Sequence, residues 1–293
     1  MTAPSAADAP GIDLHAHTTA SDGSLSPTEL VARASELGLA ALAVTDHDTL
    51  GGLAEARAAA SVRGLDLLAG VELSVEDEGG RFHLLGYGFD PASAELAETL
   101  SLLRASRAIR NDRMAARMAG LGLPVTMADV RAEAGEDADV IARPHFAQAM
   151  LKKGVVTSVK EAFDRYLSTG KPLYQSKEVL TPRDAVSLLH RADGVAVMAH
   201  PGLVPLSASA LAARIADLAG SAGLDGLEAY YSQHSPADTE RFLQLAARHG
   251  LLVTGGSDFH GTPKPDVPLG VVYAGRPAPP ALLAALRARL GEL

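Results

Sequence analysis

Ile12–Leu30 reads IDLHAHTTASDGSLSPTEL. A short apolar run ends on two histidines one residue apart, His15 and His17. Asp22 and Gly23 follow, and then Ser26-Pro27-Thr28-Glu29. In that last group the serine can cap a helix, the proline fits its first turn, and Glu29 completes a capping box. The stretch therefore reads as a strand, a polar loop and a helix start, the opening of a βα unit. Gly23 gives the loop a place to turn toward the Ser26 cap. On an extended segment residues i and i+2 point the same way, so His15 and His17 could grip one ion. A polar strand end that merely contains histidine fits these residues equally well.

The same alternation continues along the chain. Candidate strands fall at Ile12–His15, Leu39–Thr45, Leu65–Val71, Phe82–Tyr87, Val195–Ala199, Leu224–Ala229, Leu251–Thr254 and Leu269–Val272, with helical patterns between most of them. Strands alternating with helices predict a largely parallel sheet in an α/β fold. Thr181-Pro182-Arg183-Asp184 repeats the capping logic with a shorter acid. From Ser93 to Lys177 strand signals vanish, and helical patterns fill Glu95–Leu121, Met127–Ala134, Pro144–Lys153 and Ser158–Leu167. The predicted organisation is a frayed tail over 1–10, a barrel-like domain from 11–92 and 178–293, and a helical insertion over 93–177.

Composition narrows the function classes. The 293 residues are 47% apolar, enough for a large core, and carry a formal charge of −9. That balance argues against a duplex nucleic-acid coat and an anionic membrane surface. With no cysteine in the chain, disulfides, thiolate zinc sites, iron–sulfur clusters and cysteine nucleophiles are excluded. Any metal must be held by His, Asp and Glu, a donor set suited to Mn, Fe, Zn or Mg. The first residues, MTAPSAADAP, have no basic or apolar signal-peptide region, and no apolar run is long enough to span a bilayer. The expected location is the cytoplasm.

Acids and histidines cluster at the strand ends. His15 and His17 close the first; Asp46-His47-Asp48 follows the second; Glu72 follows the third; His83 lies near the fourth. His200 follows VAVMA, and Asp258 and His260 sit just after LLVTGGS. In a barrel of parallel strands the carboxyl ends open on one mouth, so residues far apart in sequence would meet there. This ordered set favours a metal site over the bland reading of His15 and His17. His190 and His249 serve as controls, because each sits at a predicted helix end where imidazole suits the helix dipole. His234, in YYSQHS, remains open. His145 follows Arg143-Pro144 at a helix start, where backbone N–H groups favour an anion. Arg104, Arg107, Arg110, Arg113 and Arg117 recur along one helix; steps of three drift around its axis, though Arg110, Arg113 and Arg117 share a face, and a solvated face is the expected reading over a grip on a short oligonucleotide.

DLHAHTTASDG, TDHDT, GVE, HLLGYG, AHP and GSDFHG, in that order, resemble the PHP (polymerase and histidinol phosphatase) family of metal-dependent phosphoesterases. ARPHFAQAML and YLSTGKPLY resemble the branch with 3′,5′-nucleotide bisphosphate phosphatases and short-RNA 5′ exoribonucleases. The resemblance implies a distorted (β/α)7 TIM-like barrel with two to three divalent ions, Mn foremost and Fe or Zn as alternatives. It implies that His15, His17, Glu72 and Asp258 hold one ion. Glu72, His83 and His200 would hold a second, and Asp22, His47 and His260 a third. Arg143 and Lys171 would contact substrate phosphate, and His145, at the helix start beside Arg143, is the third expected substrate-phosphate residue.

The expected reaction is hydrolysis of a phosphate monoester by in-line attack of a metal-bound hydroxide. Clustered cations lower the pKa of a bound water and clamp the attacking and leaving oxygens. The expected catalytic residues are Asp22, His47, Glu72 and His234, with His234, His145 or a bound water protonating the leaving group. A 3′,5′-bisphosphonucleotide or a short oligoribonucleotide is the expected substrate. A histidinol-phosphate phosphatase and a non-catalytic metal-bound regulatory module are the rival readings. Oligomeric state is left open.

Overall fold

A computed structural model describes residues 10–135 and 138–291; most of the predicted tail, residues 1–9, lies outside the described residues. Seven strands lie side by side in chain order: β1 (Ile12–Ala16), β2 (Ala41–Val44), β3 (Asp66–Asp77), β4 (Gly80–Tyr87), β5 (Val195–Met198), β6 (Gly226–Tyr231) and β7 (Leu252–Gly256). The sheet curls until its first and last strands meet. Asp258 N donates to His15 O at 2.8 Å and His17 N to Phe259 O at 2.9 Å, so β1 and the chain leaving β7 nearly close a barrel. The α/β barrel class inferred from the sequence is the observed one.

The sheet is largely parallel, as the alternation predicts, except that β4 runs antiparallel to both β3 and β5. Only Glu78 and Gly79 separate β3 from β4, and so short a link can only reverse the chain. Leu269–Val272 is not an eighth strand. Pro268 precedes it, Gly270 has φ +75°, and the Gly270 N–H is spent on the Asp13 carboxylate at 2.8 Å.

The barrel interior is filled by Ile12 and Leu14 of β1, Leu85 and Tyr87 of β4, and Val195 and Val197 of β5. Tyr87 closes one layer by donating its hydroxyl to Leu14 O at 2.6 Å. Outside it, α1 (Pro27–Glu36) and α2 (Leu53–Arg63) cover β1 and β2. The capping box that opens α1 is present, with Ser26 N donating to Glu29 at 2.8 Å. Between β4 and β5 come α3 (Ala94–Gly120), α4 (Met127–Ala134), α5 (Arg143–Lys152) and α6 (Val159–Ala162), which runs into a π-turn over Phe163–Leu167. These helices share a core of their own around Met114, Met118, Phe146 and Met150. The chain then returns through α7 (Pro182–Arg191), α8 (Ala208–Asp217), α9 (Pro236–His249) and α10 (Ala281–Leu290). Among the described residues no helix is long and apolar enough to cross a membrane.

Candidate active site

Glu72, on β3, is the hub of the barrel mouth and is 1% exposed. Its Oε2 lies 3.4 Å from His15 Nε2, 3.2 Å from His17 Nε2 and 3.0 Å from His47 Nδ1. Its Oε1 lies 2.8 Å from His83 Nδ1 and 3.0 Å from His200 Nε2. Asp258 Oδ1 adds a second carboxylate 3.5 Å from His15 Nε2 and 3.3 Å from His17 Nε2. On the far side of His17, Asp22 Oδ1 stands 3.4 Å from His260 Nε2, and Asp22 Oδ2 stands 4.0 Å from His47 Nε2. Among the described residues three sets of donor atoms, each spanning no more than 4.8 Å, could hold an ion: His15–His17–Glu72–Asp258, His47–Glu72–His83 and His17–Asp22–His47–His260. His200 adjoins the second set, its Nε2 3.4 Å from His83 Nδ1.

His83 reaches the mouth only because β4 is inverted. It pairs with Ser74 near the start of β4, so the amino-terminal half of this strand lies beside the carboxyl half of β3. Backbone strain also gathers here. Asp48, His200 and Asp258 all have positive φ, a conformation uncommon for residues other than glycine and found at functional sites. Gly23 serves a different end from the turn expected of it: its φ is not positive, but an added Cβ would lie 2.4 Å from His17 O. The loop packs that closely behind the histidine.

The donors fit divalent ions. Five of their atoms are buried without a hydrogen-bond partner: His15 Nε2, His17 Nε2, Asp22 Oδ1, His47 Nδ1 and Glu72 Oε2. Buried polar atoms are rarely left so, and here they face one another. Surrounding groups fix which atoms point inward. Glu228 Oε1 accepts from His15 Nδ1 at 2.9 Å, which turns the Nε2 lone pair toward Glu72 and Asp258. The other Glu228 oxygen accepts from the His200 backbone N–H at 2.7 Å. His260 Nδ1 donates to Asp258 O at 2.8 Å. Asp46 accepts from Thr18 N at 2.8 Å and Ser21 Oγ at 2.6 Å, holding the loop that carries Asp22. Tyr231 and Lys264 donate to Asp258 Oδ2 at 2.9 and 2.7 Å, leaving Oδ1 for the centre. Glu228→Gln should loosen this support without removing a candidate ligand. A 10- to 100-fold weaker metal affinity is the usual order for such a change. Metal titration of the chelated protein, read by calorimetry, checks it; unchanged affinity would sink the orienting role.

A cavity of about 160 Å³ opens beside the donors. Asp22, His47, His83 and His260 contribute metal donors to its lining, Arg81, Arg107, Arg110, Arg143, Lys177 and Lys264 contribute cations, and Ser74, Ala142, Pro144 and Phe163 complete it. Asp48 organises part of this charge: it contacts Arg107 and accepts from Lys177 Nζ at 2.8 Å. Burial works against ionisation of Asp48, but Lys177 and Arg107 hold its carboxyl well below the usual carboxylate range. One narrow space thus joins a metal-donor wall to a cationic wall, an arrangement that suits a phosphate ester.

Residues 13–117 match the family model for the PHP domain. A 3′,5′-nucleoside bisphosphate phosphatase from Chromobacterium violaceum is 40% identical over 85% of this chain and 87% of its own. The chain belongs to the PHP family of metal-dependent phosphoesterases. The 5′-3′ exoribonuclease Rnm of Escherichia coli is 36% identical over 88% of this chain and 87% of its own. A solved structure of a candidate metal-dependent phosphoesterase from Bifidobacterium adolescentis superposes with TM-score 0.84 at 36% identity, covering 96% of both chains. This PHP protein is accordingly a phosphoric ester hydrolase, and its His, Asp and Glu clusters are the groups that could bind its metals.

Within the PHP site the sequence-selected residues divide. His15, His17, Asp22, His47, Glu72, His83, His200, Asp258 and His260 come together as described. Arg143 lines the cavity, with Nη1 donating to Leu167 O at 3.3 Å and its guanidinium 5.9 Å from the Phe163 ring centroid. His145 is buried just behind it, taking the Ala142 N–H on Nδ1 at 3.1 Å. Lys171 does not join them. It is exposed on the turn after the π-helix and does not line the cavity, where Lys177 sits instead. His234 is also placed otherwise than a proton donor requires: Nδ1 donates to Ala229 O at 3.0 Å and Nε2 accepts from Gly202 N at 3.1 Å. Both ring nitrogens are spent on backbone. The solvated reading of the arginine helix suits exposed Arg113 and Arg117, but Arg107 and Arg110 are 6% and 3% exposed. Of the controls, His190 pairs with Asp225 at 2.7 Å and His249 ends α9, both away from the mouth.

Proposed function

We propose that this PHP enzyme hydrolyses a phosphate monoester of a 3′,5′-bisphosphonucleotide, and that the same site trims short RNA from its 5′ end. The cavity that joins metal donors to buried cations carries this reading: a substrate with two phosphates would offer one to each wall. The named activities of the Chromobacterium and Escherichia relatives point the same way. A histidinol-phosphate phosphatase has one phosphate to bind, which leaves the cationic wall without a partner. A regulatory module has no use for a complete donor set beside a cavity.

In this reading His15, His17, Glu72 and Asp258 hold one divalent ion. Glu72 also serves a second with His83 and His200, and Asp22, His47 and His260 hold a third. Mn is the first choice, with Fe or Zn as alternatives. Such ions supply an activated water and neutralise charge on the phosphoryl oxygens. The chain's own residues do the rest. Arg143 orients a phosphate with a planar fork of N–H donors, and binding energy from the uncleaved phosphate positions the scissile one. The protein around the barrel mouth keeps bulk water from competing for these charges. With His234 spent on backbone and His145 buried outside the cavity lining, the leaving oxygen takes its proton from water.

Phosphate release should be measured on 3′,5′-bisphosphonucleotides, 5′- and 3′-monophosphonucleotides, a 5′-phosphorylated trinucleotide and histidinol phosphate. The protein is first chelated and then loaded with Mn, Fe or Zn. The expected order puts bisphosphonucleotides first by at least tenfold in kcat/KM. Faster release from histidinol phosphate would overturn the substrate, and inactivity with every ion would favour the module.

A further inference from the structure

Helix α3 buries one stripe along its length: Leu96, Leu100, Leu103, Arg107, Arg110, Met114 and Met118. The face turned to solvent holds a second pattern. Leu102 is 65% exposed and Ile109 54%, one on each side of exposed Ala105. Glu98 and Arg113, also exposed, stand beyond them. At about 100° per residue, Glu98, Leu102, Ala105, Ile109 and Arg113 fall within about 80° of one another around the helix. Beside them runs a groove of about 430 Å³, with Leu102, Ala105, Ile109 and Arg113 on one bank and residues 176–178 on the other. Ser106 ties the two banks together by accepting from Glu178 N at 2.8 Å.

A single exposed leucine or isoleucine needs no explanation. The order of these residues does. Glu98 and Arg113 lie equally far from the midpoint between Ala105 and Ser106, and so do Leu102 and Ile109. A twofold axis through that midpoint lays one α3 antiparallel on another. It brings Glu98 of each copy to Arg113 of the other, and Leu102 to Ile109, as a self-complementary interface requires. A parallel pairing would set like charges together. Both charges are available. Neither the Glu98 nor the Arg113 side chain has an ion-pair or hydrogen-bond partner among the described residues, whereas Glu95 is held by Arg191 at 2.6 Å. Ala105 at the crossing carries only a methyl group, so the helix axes can approach to about 8 Å. A foreign helix has no reason to match a pattern that is complementary to its own reversal, and an oligonucleotide would meet Glu98 as well as Arg113.

We propose that two copies of this chain dimerise through α3, antiparallel about a twofold axis at Ala105. The same helix carries Arg107 and Arg110 to the cavity from its other side, so the second copy braces the cationic wall from behind. The contact is one helix wide, and its expected Kd is on the order of micromolar.

Sedimentation velocity on the full-length protein, from about 1 to about 100 μM, spans that affinity. Wild type should pass from monomer to dimer across the range. Glu98→Arg and Arg113→Glu each turn two attractive pairs into repulsive ones, and each should weaken dimerisation roughly tenfold or more. The double variant rebuilds both pairs with their signs exchanged, and its Kd should return to within about threefold of wild type. Both side chains are exposed, so neither change disturbs the core of the monomer. A wild type that stays monomeric at every concentration overturns the inference. So does a dimer that ignores the single changes, or one that the double variant fails to restore, because either result places the interface elsewhere.

Discussion

Glu72→Gln is expected to lower kcat by roughly 10³-fold, the largest effect of any single conservative change in this protein. The loss corresponds to several kcal/mol of charge stabilisation at about 1.4 kcal/mol per tenfold. The substitution keeps the volume and removes only the charge and one acceptor. Glu72 is the residue for which that matters most, since its two oxygens stand within 3.4 Å of His15, His17, His47, His83 and His200. Burial opposes its ionisation, but the imidazoles of His47, His83 and His15 hold it well below the usual carboxylate range. A carboxamide there would turn an N–H₂ toward nitrogens that must keep their lone pairs for metal. Bound metal should fall with activity, so kcat at saturating Mn and metal content by mass spectrometry are read together. Turnover within tenfold of wild type at full metal content would remove Glu72 from the centre of the site.

The barrel and its donors were legible for a common reason. Apolar runs of four to seven residues mark strands, and the acids and histidines that follow them in chain order must meet at one end of a closed sheet. That argument brought together His15 and Asp258 from opposite ends of the sequence. Strand direction was less visible, because nothing in RFHLLGYG encodes which way it runs. The clue lay outside it, in the two residues that link β3 to β4. Glu228 was missed because a single acid in LEAYY looks like a tolerated polar position until His15 Nδ1 is seen 2.9 Å away.

Arg107 and Arg110 were harder still. An arginine on a helix is buried or solvated according to what covers that face, and only the seven-residue stripe through Leu96 and Met118 carried the information. Lys171 stands in a motif that suggests phosphate binding, whereas Lys177 stands in none. The chain after the π-turn decides between them by placing Lys177 against Asp48, a long-range contact no local pattern reveals.

Removing metal should abolish activity and also change how stability depends on pH. Without divalent ions Glu72 is balanced by the surrounding imidazoles, and Asp258 by Lys264 together with imidazoles. Burial alone would lower the pKa of His17; the neighbouring Asp258 and Glu72 carboxylates override it and raise the group from 6.5 to about 9. His15 is likewise raised against burial by Glu228, Glu72 and Asp258. A raised folded-state pKa contributes stability that is complete below the unfolded value and disappears as pH climbs through the folded one. For His17 that window runs from 6.5 to about 9, and a single proton over that span is worth roughly 3 kcal/mol. His47, pushed down to about 3 mainly by burial, does not titrate within it. Chelated protein should therefore lose Tm steadily between about pH 6.5 and 9. Metal-loaded protein should not, because the ions replace those protons as counter-charge and release them on binding. Thermal melts of both forms across that range check the slope, and calorimetry in buffers of different ionisation enthalpy counts the protons. A flat melting profile for the chelated form, with no proton release on adding Mn, would mean that the imidazoles are already neutral and that the cluster is not balanced in the way its geometry implies.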